Sequence, residues 1–266
     1  MAEFPGADAE LAAAAYAIVG APLDVSTTFR PGTRFGPERV RRFARSFDGY
    51  DRRTGLRFGE LVADDGDLPA WDDATEYVRF LEGELADHRA AGRTPLLLGG
   101  EHTVTVAGVR AADPDVYVCL DAHLDLYDAY AGNERSHATV TRRALETVDE
   151  AVLLGVRTGS EAEWERAAEA DVTVVEPERV GSWTPDFDGD AYLSVDIDAA
   201  DPGFAPGTGT PVPFGLRPRE LRGVVRTVAP LAVGFDVTEV NDRDDGQAAS
   251  LAGKLLQEFV FSHADS

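Results

Sequence analysis

Asp121, His123 and Asp125 follow the apolar run 116-VYVCL-120 at alternate positions, and Asp196 and Asp198 follow 192-YLSV-195 with the same spacing. His102 comes shortly after a third apolar run, 96-LLL-98. In an extended chain, residues i, i+2 and i+4 point to one side. Each motif is therefore expected to present its ionisable groups on one face, with Ala122, Leu124 and Ile197 on the packed side. Four aspartates crowded at strand ends cannot all stay ionised alone, because burial and mutual repulsion raise carboxylate pKa values. Two divalent cations would balance the four charges. Carboxylate and imidazole donors without thiolate suit Mn²⁺, Fe²⁺, Co²⁺ or Zn²⁺ better than Mg²⁺ or Ca²⁺. Two such ions about 3.5–4 Å apart activate a water as a nucleophile near neutral pH. The chemistry expected of these residues is hydrolysis.

The elements that must position them are legible as short apolar runs alternating with amphipathic stretches. Strands are expected at 16–19, 61–63, 96–98, 116–120, 152–156, 172–175, 192–195 and 233–237. Helices are expected at 37–47, 72–90, 103–112, 138–147, 161–170, 218–228 and 246–261. Pro37 and Pro218 suit the first turn of a helix. Strand–helix alternation with continuously apolar strands predicts an α/β fold: a mostly parallel, about eight-stranded sheet covered on both faces, in three α-β-α layers. In such sheets the active site lies beyond the carboxyl ends of the strands. No linker or repeat divides the chain, so residues 1–266 are read as a single domain.

The chain carries 48 acidic against 25 basic residues, for a net charge of −23. Lys254 is the one lysine, and acidic runs such as 63-ADDGD-67 and 242-DRDD-245 are dispersed rather than gathered in a tail. A dispersed excess predicts a solvated, self-repelling surface suited to high salt, where screening acts within roughly 3 Å at 1 M. It argues against nucleic acid and anionic membranes as partners, which both need basic patches. Cys119 is the single cysteine, so no intrachain disulfide forms and a reducing, cytoplasmic setting is expected. The run 11-LAAAAYAIVGA-21 follows Glu3, Asp8 and Glu10 rather than a basic region, and reads as a lead into the first core strand, not a signal peptide. His88 and His263 are read as surface residues, and Asp128 as a loop charge.

The stretches 99-GGEHTVT-105, 121-DAHLDLYD-128 and 194-SVDIDAADPGFAPGTGTP-211, with 29-FRPGTRFGPERVR-41 and 233-VGFDVTEVN-241, resemble the ureohydrolase family of arginases and agmatinases. The segments 27-TTFRPGTRFGP-37 and 125-DLYDAYAGNERSHATVTRR-143 look most like archaeal agmatinases. The resemblance implies an arginase/deacetylase-like fold and two Mn²⁺ ions. One would take His102, Asp121, Asp125 and Asp196; the other would take Asp121, His123, Asp196 and Asp198. It further implies His137 as a proton relay to the leaving amine, with Asp125 assisting, and Glu239 as the carboxylate that orients a small cationic guanidino substrate. A homo-oligomer, trimer or hexamer, is implied as well. The sequence departs from the family pattern at 212-VPFGLRPRE-220, at Ala138 and at Asp242, all in loops near the expected substrate entrance. Rival readings are another ureohydrolase (arginase, guanidinobutyrase or formimidoylglutamase), a deacetylase, or a non-catalytic metal-binding subunit. A carboxylate-tailed substrate would want an arginine in the pocket, for which Arg135, Arg142 and Arg143 are candidates.

Overall fold

The computed structural model describes residues 3–266. Eight strands form one sheet: β1 (Tyr16–Ala21), β2 (Val62–Asp67), β3 (Thr94–Gly99), β4 (Val116–Leu120), β5 (Glu150–Leu154), β6 (Val172–Val175), β7 (Ala191–Asp196) and β8 (Ala232–Thr238). Every pairing is parallel, and the order is β2-β1-β3-β8-β7-β4-β5-β6. The helices are α1 (Gly36–Ala44), α2 (Phe58–Leu61), α3 (Ala74–Ala90), α4 (Thr105–Ala112), α5 (Val140–Ala144), α6 (Glu161–Ala167), α7 (Pro177–Val180), α8 (Pro218–Val228) and α9 (Gln247–His263).

The three layers follow from strand periodicity. In β4, Val116, Val118 and Leu120 join the core under α1, α8 and α9, whereas Tyr117 and Cys119 join the core under α3, α4 and α5. Alternate residues of a strand point to opposite faces, so a strand buried on both sides must be apolar throughout. All eight predicted strands are present, those at 116–120 and 172–175 with the expected ends and the other six with shifted ends. The predicted helix at 103–112 begins instead as a tight 3-10 turn, His102–Val104, and the one at 138–147 as another, His137–Thr139, and ends at Ala144. The one-turn helices α2 and α7 are too short to show helical periodicity and were not expected.

Three surface assignments are corrected. His88 is buried: its Nε2 lies 3.2 Å from Asp65, and its Nδ1 accepts from Arg93 Nε at 3.1 Å. His263 is the last residue of α9, half-buried and stacked on Phe259; its Nδ1 accepts the Tyr16 hydroxyl at 2.7 Å while Nε2 donates to Ala232 O at 3.0 Å. The acidic runs are also not wholly solvated. Asp244 caps the start of α9, accepting from Gly246 and Ala248 N–H groups at 2.7 and 2.8 Å.

Asp64 meets Arg41 through two N–H donors, at 2.7 and 2.8 Å, both side chains being 1% exposed, and Arg41 also pairs with Asp67. Removing one partner of a buried pair strands the other charge, a loss of about 3–5 kcal/mol. Arg41→Met is therefore expected to lower the denaturation free energy by that amount. A denaturant titration that leaves the midpoint unmoved would show the pair to be energetically neutral.

Candidate metal centre

The four central strands, in the order β3-β8-β7-β4, deliver the chemistry. β3 and β4 are consecutive in sequence but separated in space by β8 and β7, which makes the crevice between them a topological switch point. His102 follows β3 on its 3-10 turn, Asp121 follows β4, Asp196 ends β7 and Glu239 follows β8. The turn before His102 depends on Gly100, where an added Cβ would stand 2.0 Å from Leu23 O. That close approach lets Gly100 and Glu101 donate to the carbonyls of Ala21 and Leu23, at 2.7 and 2.8 Å.

The expected alternation in an extended chain is not how the ligands converge. β4 ends at Leu120, and Asp125 reaches the site from a left-handed backbone with φ 51°. Asp198 lies in the 3-10 turn Ile197–Ala199, its N–H donating to Asp196 Oδ1 at 2.8 Å. Strand geometry fails here because the chain has left the sheet and has no ladder partners to keep it extended. The packed side is as expected: Ala122, Leu124 and Ile197 are fully buried.

All six predicted ligand residues are brought together in two groups that share Asp121. His102 Nδ1 lies 3.0 Å from Asp125 Oδ2, 3.3 Å from Asp121 Oδ2 and 3.5 Å from Asp196 Oδ2. His123 Nδ1 lies 3.1 Å from Asp198 Oδ2 and 3.4 Å from Asp121 Oδ1. The ligand atoms of Asp121, His123 and Asp198 all fall within 4.8 Å of one another. Asp196 touches both groups, His102 through Oδ2 at 3.5 Å and the Asp198 backbone N–H through Oδ1 at 2.8 Å.

Cys119 also lies beside His102, but on the other nitrogen: its Sγ is 3.9 Å from Nε2. Burial pushes this thiol up to about 11, so it stays protonated. The Nε2 side is organised by Asp236 instead. Ser194 Oγ donates to Asp236 Oδ1 at 2.6 Å and so accepts from His102 Nε2 at 3.2 Å, while Tyr192 O–H donates to Asp236 Oδ2 at 2.9 Å. The chain of donors places the imidazole proton on Nε2 and turns the Nδ1 lone pair toward three carboxylates, the arrangement by which outer hydrogen bonds orient a metal-binding histidine.

The donor set fits divalent metal. A single imidazole nitrogen within 3.5 Å of three carboxylates can satisfy one by a proton, whereas a cation satisfies all. Without one, protons do the work: burial, then the Asp121 charge, pushes Asp125 up to about 7. Burial, then Asp198 and Asp121, raises Asp196 well above the carboxylate range, and burial does the same to Glu239. Burial pulls His123 down, but Asp198 and Asp121 outweigh it and hold the imidazolium up to about 12.

Carboxylates raised in the folded state bind protons there that the unfolded chain releases, so stability falls as pH rises from the ordinary carboxylate range, about 4, through the folded values. Asp125 places the upper part of that window near 7. Metal binding needs the deprotonated ligands and removes this penalty. Mn²⁺ is therefore expected to raise Tm more at pH 8 than at pH 5; an increment that shrinks with rising pH would contradict the metal assignment of these carboxylates.

Glu239 is buried, with φ 61°, and its Oε1 accepts from the His102 backbone N–H at 2.8 Å. His137 is half-buried; its N–H donates to Ser26 Oγ at 2.9 Å, and its Nε2 stands 3.3 Å from Thr28 Oγ1. Ser26 is itself held by Glu101, which accepts from Ser26 Oγ and from the N–H groups of Val25 and Ser26, each at 2.7 Å. Burial holds the His137 pKa below its ordinary value. Asp128 is an exposed loop charge, paired with Arg143 at 3.2 Å.

A cavity of about 410 Å³ opens at the centre, lined by His123, Asp125, Asp196 and His137 together with Thr28, Tyr127, Tyr130, Ser160, Glu163 and Thr210. Thr210 Oγ1 donates to Asp198 Oδ2 at 3.0 Å. Glu163 accepts from Leu126 N–H at 3.2 Å and from Ser160 N–H and O–H, both at 2.9 Å. Glu101, Ser194, Thr210, Glu163 and Asp236 were not singled out from the sequence. Glu101, Ser194, Thr210 and Asp236 sit inside the motifs that carry the resemblance, which was the available signal; Glu163 lies outside them.

Acidic and imidazole donors gathered at the carboxyl ends of the central strands of an all-parallel sheet define an α/β protein with a candidate divalent-metal centre. Residues 14–262 match the arginase family. The chain is 32% identical over 259 residues to an agmatinase of Pyrococcus horikoshii, covering 91% of this chain and 89% of that protein. It is 36% identical over 284 residues to a guanidinobutyrase of Pseudomonas aeruginosa, covering 95% and 87%. Its fold matches the crystal structure of an agmatine ureohydrolase of Thermoplasma volcanium with a TM-score of 0.92 at 32% identity, over 100% of this chain and 95% of that one. The chain belongs to the arginase family of ureohydrolases, which are binuclear metal hydrolases. Among the described residues no helix is long and apolar enough to cross a membrane.

Proposed function

We propose that the protein is an agmatinase, hydrolysing the guanidinium C–N bond of agmatine to urea and putrescine, as a step of polyamine synthesis. The observation that carries the choice of substrate is the charge of the pocket. Among the described residues its lining contains no arginine or lysine, and it includes the Glu163 carboxylate. The three arginines that could have received a substrate carboxylate lie outside that lining: Arg143 stands 3.2 Å and Arg142 3.7 Å from Asp128, and Arg135 3.9 Å from Glu146. A cationic tail suits this lining; a carboxylate tail does not. The agmatinase and agmatine ureohydrolase among its relatives support the same reading.

Two Mn²⁺ ions, one held by His102, Asp121, Asp125 and Asp196 and the other by Asp121, His123, Asp196 and Asp198, would supply an activated water and an electrophilic surface. The chain supplies the rest. Glu239 accepts N–H groups of the guanidinium, since a carboxylate matches that planar cation with paired hydrogen bonds. Its left-handed backbone, a conformation costing about 1–3 kcal/mol in a residue other than glycine, is the strain typical of functional sites. Asp125 and His137 move the proton freed from water to the departing nitrogen, whose C–N bond then breaks to leave urea and the amine. Tyr127 and Tyr130 shelter the methylene chain.

Urea release measured on agmatine, arginine and guanidinobutyrate, with formamide release from formiminoglutamate, tests the reading. Agmatine is expected to give the highest kcat/KM; a preference for guanidinobutyrate or arginine would reassign the chain within its family, and turnover of none would point to a non-catalytic metal protein. The dispersed acidity and the single lysine support a salt-adapted, archaeal, cytoplasmic enzyme. Family resemblance supports a trimer or hexamer, testable by light scattering in 2 M salt.

A further inference from the structure

Arg157 uses all its donor nitrogens on main-chain carbonyls. Nη2 donates to Asp198 O and Val212 O, both at 2.8 Å, and to Ala200 O at 3.4 Å. Nη1 donates to Gly155 O at 3.0 Å and Ala199 O at 3.2 Å, and Nε to Pro213 O at 3.1 Å and Val212 O at 3.3 Å. Among the described residues no carboxylate pairs with it within 4.0 Å. A guanidinium spent wholly on backbone is a fastener rather than an ion-pair partner, and its rigid fork of five N–H groups suits several carbonyls at once.

What it fastens is informative. Asp198, Ala199 and Ala200 form the turn that carries a metal-ligand carboxylate. Val212 and Pro213 belong to the segment that follows Thr210, the residue that donates to Asp198 and lines the pocket. The same two stretches are joined by Leu216 N–H to Ala199 O and Asp201 N–H to Leu216 O, each 2.9 Å, and by Asp201 Oδ2 receiving Phe214 and Gly215 N–H at 2.8 and 3.1 Å. At Gly215 an added Cβ would lie 2.6 Å from Arg157 Nη2 and 2.6 Å from Asp201 N, so the segment closes over the guanidinium with no room for a side chain. This is also the stretch where the sequence leaves the family pattern.

We propose that Arg157 is a positioning residue that locks the Asp198–Ala200 turn to the Val212–Pro213 segment, fixing the His123/Asp198 half of the metal centre and the Thr210 wall of the pocket together. The proposal rests on the metal-centre reading for its functional consequence, while the lock itself stands on the chain's own hydrogen bonds. It predicts an asymmetric effect, because Arg157 touches the Asp198 turn and not the turn that bears His102.

Arg157→Met and Arg157→Lys test it, using the full chain titrated with Mn²⁺ alone and followed by calorimetry, with hydrogen–deuterium exchange on the metal-free protein. Loss of a supporting contact around a metal ligand weakens affinity about 10- to 100-fold. In Arg157→Met one of the two Mn²⁺ equivalents is expected to lose that affinity while the other is unchanged, with exchange accelerated at 198–201 and 208–216 but not in β3 or β4. Arg157→Lys, with one nitrogen in place of three, should recover part of both effects and remains informative if the Met variant fails to fold. Native affinities with native exchange at 198–216, or equal weakening of both equivalents with a general rise in exchange, would overturn the proposal. If the native chain bound no Mn²⁺ yet Arg157→Met still loosened 198–216, the lock would stand and the metal reading would fall.

Discussion

Asp198→Ala is expected to leave a folded chain that binds one Mn²⁺ equivalent instead of two and releases urea at least about 10³-fold more slowly. Asp198 carries three constraints at once: Oδ2 meets His123 Nδ1 at 3.1 Å, Oδ2 receives Thr210 O–H at 3.0 Å, and Oδ1 receives Ala122 N–H at 3.2 Å. Removing it deletes a ligand and frees the imidazole it orients, while the other group, around His102 and Asp125, keeps all its members. Stabilisation of a developing charge by metal amounts to several kcal/mol, and each 1.36 kcal/mol is a factor of about ten in rate. Metal analysis after dialysis, with urea release under saturating agmatine, reads both effects. Two equivalents retained at native affinity would sink the ligand assignment whatever the activity did.

His137→Ala should lower kcat by about 10²–10⁴, the range that a positioned proton-transfer group contributes, while metal content stays native. Burial holds this imidazole below its ordinary value of about 6.5, so it is neutral at pH 7 and able to accept a proton before passing it on. Activity of the native chain should fall as pH drops through that lowered value, because the imidazolium cannot accept. In His137→Ala, whatever acid limb remains belongs to other groups and should move. An unchanged pH profile with a merely raised KM would make His137 a substrate contact and no relay. Ser26→Ala gives a milder counterpart: it removes the acceptor of the His137 N–H and should reduce kcat with little change in metal binding.

How much of this could be read in advance varies with distance along the chain. The central strands were legible because a strand buried on both faces must be continuously apolar, and runs such as 116-VYVCL-120 admit few other readings; the edge strand β2, VADDGD, showed only its first apolar residues. The candidate ligand residues were legible because aspartate and histidine directly after such runs are costly unless something pairs them. The order of the strands was not, since β8 enters beside β3 through pairings between residues more than 130 positions apart, such as Leu96 with Phe235. Nor was the way Asp125 and Glu239 are aimed, because their left-handed backbone is imposed by the surrounding loops. His263 was misplaced for a related reason: the Tyr16 hydroxyl that donates to it stands 247 positions away. Arg157 escaped notice because its partners are carbonyl groups, which every residue has and no sequence pattern marks.

The place of β8 has a consequence for the chain while it is being made. Before residues 232–238 emerge, the strands that will flank them can form only two separate ribbons, β2-β1-β3 and β7-β4-β5-β6. His102 belongs to one ribbon and the five other ligand residues to the other. A nascent chain therefore holds an acidic cluster with no partner imidazole from β3 and no Glu239, and the candidate ligand residues come together only once residues 232–238 have emerged. A chain cut short before β8 would lack the complete candidate centre.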